Sequence, residues 1–195
     1  MPVLHGGRVD ASERAALIQH LTPPPGITMA PYPAWRDVAY RISLVLFLLG
    51  LVGMAVVDAA RLNTAAVWMQ GLVALAATGA GWFFLVWLSG WRWLVRSLAT
   101  LGAAGWLGGL AGGVPALLVV GWAGTLAATS IMAAKEDHCF RLPTGKVVPW
   151  ASLLLGIGIL AGFPLRADAV LWAMIAALWA ALLIRRFRLP LFEID

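Results

Sequence analysis

Charge is scarce in this chain. Of 195 residues, 14 are Lys or Arg and 9 are Asp or Glu, about half the share usual in soluble domains. That scarcity excludes a water-soluble domain and a disordered chain. Cysteine is scarcer: Cys139 stands alone, so no intramolecular disulfide can form. The three histidines, His5, His20 and His138, all fall outside the apolar runs. Haem or chlorophyll ligated by His is therefore disfavoured, which leaves lipid, or a pigment held by water, amide or backbone. There is no Walker-A loop, dinucleotide-binding glycine fingerprint, HExxH or GxSxG.

What the chain has instead is apolar runs. Apolar residues make up 62% of it and the mean hydropathy is +0.87. The runs are continuous rather than alternating, which excludes a porin-type barrel. A membrane-spanning helix needs roughly 20 apolar residues. The pattern predicts an all-α, polytopic helical membrane protein with six spans: Ile42–Ala60, Asn63–Leu88, Ser97–Gly112, Val114–Ala134, Val147–Phe163 and Asp168–Ile184. The third is short, about 24 Å at 1.5 Å per residue, and spans fully if Trp91–Arg96 extends it. Pro149 is placed in the first turn of the fifth, where a missing N–H does no harm.

Three parts follow. Residues 1–34 form a proline-rich N-terminal segment, residues 35–188 the six-helix domain, and residues 189–195 a short tail. Asp10 with Glu13 resembles a capping box, so a short helix carrying Leu17, Ile18 and Leu21 is expected before the stiff Pro23-Pro24-Pro25 stretch. The first apolar run starts at Ile42, so no cleavable signal peptide is expected.

With six spans, one side receives Arg8, Arg14, Arg36, Arg41, Arg92, Arg96, Lys135, Arg141, Lys146, Arg185, Arg186 and Arg188. The other receives Arg61 and Arg166. Twelve against two, or ten against two without the remote Arg8 and Arg14, places both termini in the cytoplasm by the positive-inside rule. It also accounts for the net charge of +5 without nucleic acid. Trp35, Trp87, Trp91, Trp93 and Trp150 suit headgroup level on that side, and Trp68 on the other. Trp106, Trp122, Trp172 and Trp179 fall mid-span, to pack or to face lipid.

Three features invite a functional reading. In the third span Gly105, Gly108, Gly109 and Gly112 stand three or four apart, a seam where helices approach closely. It suits packing inside the monomer, a subunit interface, or a pigment or pore surface. Asp58 sits near the outer end of the first span. It can pair with Arg61 at i,i+3, or serve as the acid of a transport path. Lys135, Glu136, Asp137, His138 and Cys139 follow the fourth span directly. They suit a solvated helix end, a network reaching Arg41, Arg92 or Arg96, or a metal or nucleophile site. If the helix continues, Lys135 and Cys139 share a face, and an ammonium there favours thiolate.

Trp35-Arg36-Asp37-Val38-Ala39-Tyr40-Arg41, leading into the first span, and Lys135-Glu136 with Cys139-Phe140, leaving the fourth, together resemble a family of integral membrane proteins of cyanobacteria and plastids, the domain of unknown function 2301. The resemblance implies a six-span protein of a thylakoid or cytoplasmic (inner) membrane. It draws attention to Tyr40, Arg41, Lys135, Glu136, Cys139 and Phe140 and brings no activity with it.

Three functions are carried forward. The first is a non-enzymatic accessory subunit or assembly factor of a larger, photosynthetic membrane complex, or a homo-oligomer. The second is a small channel or transporter with Asp58 and the Lys135–Cys139 cluster at opposite mouths. The third is a membrane redox or thiol enzyme using Cys139. Membrane lipids and a membrane-protein partner are the expected contacts.

Overall fold

The computed structural model describes residues 2–27, 31–86 and 88–194. Among the described residues, seven helices and two short strands run in the order β1 (Pro2–His5), α1 (Ala11–Leu21), α2 (Ala34–Ala60), α3 (Asn63–Phe83), α4 (Ser89–Gly112), α5 (Pro115–Phe140), α6 (Thr144–Ala161), α7 (Leu165–Arg188) and β2 (Leu191–Ile194). Helices α2 to α7 are all long and apolar enough to cross a membrane. The protein is a polytopic helical membrane protein, and its outward surface of leucine, valine, isoleucine and tryptophan side chains is suited to contact with lipid.

Each predicted span is present, with shifted ends. Helix α4 starts at Ser89, so Trp91–Arg96 does extend it, and 24 residues reach about 36 Å. Helix α5 runs on to Phe140, which makes Lys135–Phe140 its last turns rather than a loop. Helix α6 starts at Thr144, three residues before the expected Val147, and Pro149 therefore lies inside it, in the second turn. The first-turn placement of Pro149 is corrected accordingly. Hydropathy located the apolar middle of α2, α4, α5, α6 and α7 and missed turns that continue them, whereas α3 ends at Phe83, short of the expected Leu88.

The helices end on identifiable residues. Gly113 (φ 62°) and Gly162 (φ 68°) close α4 and α6 in the left-handed region, where glycine carries no Cβ penalty. Pro115 then opens α5 at its first turn. Arg61 (φ 56°) and Arg141 (φ 52°) close α2 and α5 in the same region without that advantage.

Each spanning helix packs on its chain neighbours, and α7 returns to α2, so the six form a closed ring. A face of α2 at helical spacing (Tyr40, Leu44, Phe47, Leu51, Met54) meets Trp172, Ile175, Trp179 and Leu182 of α7 in a filled core. The Phe47 and Trp179 rings meet edge-on at 5.3 Å.

Glycine sets a close contact between α4 and α5. A Cβ on Gly105 would lie 2.6 Å from the Gly121 nitrogen and 2.7 Å from the Leu117 oxygen. One on Gly109 would lie 2.6 Å from the Leu118 side chain. Gly102, Gly121 and Gly124 complete the seam. Gly108 meets only a leucine methyl at 3.2 Å, and Gly112 only Val114 at 3.5 Å. At Gly105 and Gly109 this face of α4 is thus covered by α5 of the same chain, while Gly112 is exposed.

The two chain ends come together. Strands β1 and β2 pair antiparallel, Leu4 opposite Phe192, and Tyr32 bridges to Ile194. Asp10 caps α1 by accepting from the Glu13 N–H at 2.8 Å. Of the expected face of α1, Leu21 is buried, Leu17 is partly buried and Ile18 is exposed. The segment before α2 and the tail after α7 form one cap over the same end of the ring. Exposed Trp35, Trp91, Trp93 and Trp150 lie near that end and Trp68 near the other. Trp87 lies outside the described residues.

Candidate functional site

Under the terminal cap sits a buried ionic network. Asp37, Glu136, Arg41 and Arg186 expose 2%, 0%, 5% and 2% of their surfaces. Helix geometry explains why charged residues point inward. Asp37 and Tyr40 continue the α2 face that carries Leu44 and Phe47. Glu136 lies one turn beyond Met132 on α5. Arg186 lies seven residues beyond Trp179, itself seven beyond Trp172, which is two helical turns each time.

Asp37 is the hub. Its Oδ1 accepts from Arg186 Nη2 at 2.7 Å. Its Oδ2 accepts from Arg41 Nε at 3.1 Å and from the Phe192 N–H at 3.2 Å. Arg41 then donates to the carbonyl oxygens of Leu189 (3.1 Å) and Pro190 (2.7 Å). One carboxylate therefore ties together the first spanning helix, the last one and the chain that follows it.

Glu136 is the second acid. Its Oε1 accepts from Tyr40 Oη at 3.1 Å and from Lys135 Nζ at 2.9 Å. Its Oε2 lies 3.2 Å from Arg186 Nε, an ion pair by distance whose angle is too poor for a directed hydrogen bond. Phe140 supplies a ring face to both cations, 4.1 Å from the Arg186 guanidinium and 4.7 Å from Lys135 Nζ. Such cation–ring contacts gain strength where water is excluded. Beside the network Tyr32 donates to the Phe83 carbonyl at 2.9 Å. Burial, and then the nearby Asp37 carboxylate, push its phenol well above the ordinary range.

The two stretches that carry the family resemblance meet here. Tyr40 and Arg41 come from the first, Lys135, Glu136 and Phe140 from the second, and all five belong to one network. Sequence reading gave no role to Asp37 beyond the motif, and treated Arg186 as one of three lysine- or arginine-type topology markers at the end of a span. The signals were present: Asp37 and Arg41 are four apart, and Arg186 shares the heptad face of Trp172 and Trp179.

The rest of the cluster after the fourth span behaves differently. Lys135 is held by Glu136 and three aromatic rings, at 4.7 Å to 5.7 Å. Of the partners expected for that cluster, Arg41 belongs to the network, while Arg92 donates to the Val86 carbonyl and Arg96 to the Trp82 carbonyl. Cys139 is half-buried with a free thiol. His138 is exposed, and His20 from α1 reaches its carbonyl at 2.9 Å. Among the described residues no group of three or more His, Cys, Asp or Glu side chains could hold a metal.

A cavity of about 220 Å³ adjoins the network. Tyr40, Lys135 and Arg186 form its buried end, Leu85 and Val86 a wall, and Leu88, Trp91 and His138 its exposed end. Cys139 also lines it. At the opposite end of the ring, Asp58 makes no ion pair with Arg61 among the described residues. It is hydrogen-bonded with the Trp172 side chain. Arg61 is the left-handed C-cap of α2.

A ring of six membrane-spanning helices with a buried ion-pair network under the paired chain ends defines the class of protein. No family model, curated protein or solved structure matches the chain.

Proposed function

We propose that this is a non-enzymatic integral membrane protein that works by association, as an accessory subunit or assembly factor of a larger membrane complex. One observation carries the reading: a groove of about 730 Å³ on the lipid-facing side between α2 and α7, lined largely by alanine, among them Ala55, Ala59, Ala169, Ala173, Ala177 and Ala180. Small side chains let a further helix approach closely and gain van der Waals contact where lipid supplies no hydrophobic drive. The glycine seam of α4 is occupied within the chain, so this groove takes over the role of outward contact surface. The arrangement of charge is compatible with the same reading, because the buried ionic groups are gathered at one end of an otherwise apolar core.

The proposal includes membership of the cyanobacterial and plastid family that the two motifs resemble, and both termini on the cytoplasmic side of a thylakoid or inner membrane. The paired ends and the basic residues near them support that orientation.

The test is mild-detergent extraction from native membranes followed by native electrophoresis. The wild-type chain is expected to migrate in a larger complex. Ala173→Trp, which fills the groove, is expected to release it as a monomer, while Leu153→Trp on the exposed face of α6 leaves the complex intact. Monomeric migration of the wild type, or an undisturbed complex in Ala173→Trp, contradicts the proposal.

A further inference from the structure

Charge does not balance in the buried network. Arg41, Lys135 and Arg186 are three cations against the two carboxylates of Asp37 and Glu136. An uncompensated charge away from water is costly. Arg186 shows the same excess at the atomic level. It is 2% exposed, and its Nη1 is buried with no hydrogen-bond partner among the described residues. Lys135 donates to Glu136, and its ammonium otherwise faces aromatic rings, which leaves two of its three N–H donors without an oxygen acceptor among the described residues. Both side chains line the cavity of about 220 Å³, so the surplus positive charge lies beside one concave place.

The shape of that place restricts its occupant. From the cationic end the cavity runs along Leu85 and Val86 to Leu88 and Trp91, which are 52% and 47% exposed. Those two lie at the start of α4, at an end of a membrane-spanning helix, where an indole suits the headgroup layer. A free hydrophilic anion would gain nothing from this apolar wall. An amphiphile would place its anionic group on Lys135 and Arg186 and pass its chain over Leu88 and Trp91 into the bilayer.

We infer that the cavity beside the network is a specific site for the anionic headgroup, phosphate or carboxylate, of a membrane amphiphile, with Lys135 and Arg186 as its ligands. The bound anion offsets the third cation and occupies the spare donors with charge-assisted bonds. The inference shares no residue with the α2–α7 groove, so it and the association reading can fail separately.

The test uses the full chain in nanodiscs of phosphatidylcholine carrying a minor fraction of phosphatidic acid, read by native mass spectrometry. One phosphatidic acid is expected to stay with each chain after gentle release, and millimolar inorganic phosphate is expected not to displace it. Lys135→Gln is expected to lower occupancy about tenfold, the loss of roughly one charge-assisted bond. Because Lys135 also holds Glu136, Val86→Trp is measured beside it. That variant fills the cavity and leaves every charge in place, and it too is expected to lose the lipid. Arg61→Gln, at the other end of the ring, is expected to retain it. Retention no greater than that of phosphatidylcholine, or undiminished in Val86→Trp, overturns the inference. Displacement by inorganic phosphate at matched concentration overturns it as well, and assigns the site to a free anion.

Discussion

At the scale of single residues, a few side chains do most of the positioning. Asp37 accepts from two arginines and one backbone N–H, and Glu136 is fully buried against Tyr40, Lys135 and Arg186. Removing one member of a buried ion pair typically costs about 3–5 kcal/mol, because the partner is left charged and unpaired. Glu136→Gln is expected to lower the detergent unfolding midpoint sharply, whereas Glu13→Gln on exposed α1 is expected to change it little. Asp10 gives a sign-defined pH effect outside the membrane. The Ser12 hydroxyl, then the Glu13 N–H, hold its carboxyl below the usual range. Its support of α1 is thus present above the ordinary Asp value, about 3.9, and lost as pH falls through the lower folded value. Amide exchange in the first turn of α1 is expected to accelerate over that acidic window in the wild type and to be flat in Asp10→Asn. Cys139 lies one turn beyond Lys135 on α5, the shared face that a continuing helix implies, and that ammonium also donates to Glu136.

At the scale of elements, the glycine seam decides how closely α4 and α5 pack. A side chain at Gly105 collides with Gly121 and Leu117 backbone, which cannot swing aside as a side-chain tip can. Gly105→Leu is expected to destabilise the bundle by about 1–3 kcal/mol, the usual cost of overpacking. Gly112→Ala, with open contact at 3.5 Å, is expected to be neutral in the same unfolding assay. The six helices were legible because length and hydropathy suffice to find a span. Their ends were not. Trp35–Arg41 and Lys135–Phe140 are polar by composition and helical in fact, with Asp37, Arg41, Lys135 and Glu136 paired inside the ring rather than solvated. The α5 half of the seam, Gly121 and Gly124, escaped notice because two glycines in a long apolar run form no repeat until their partner helix is known.

At the scale of the molecule, the ends that composition marks as separate tails are one structure. The β1–β2 pair and the hydrogen bonds from Arg41 to Leu189 and Pro190 bring the first and last parts of the chain to the same end of the ring. No local pattern announces contacts between residues so far apart in sequence. Reporters fused at the two termini are expected to read the same compartment, the cytoplasm, and opposite readings would remove the proposed sidedness. The network that joins the first and last spanning helices is the centre of this architecture, and a double-mutant cycle on Asp37→Asn and Arg186→Gln, residues 149 apart, tests it most directly. Unfolding of the four proteins in mixed micelles is expected to show each single variant strongly destabilised and the double variant at least about 1 kcal/mol less so than their sum, as for residues in direct contact. Additivity within about 0.5 kcal/mol, the behaviour of independent sites, would mean that the two side chains do not meet and that the ring is not closed in this way.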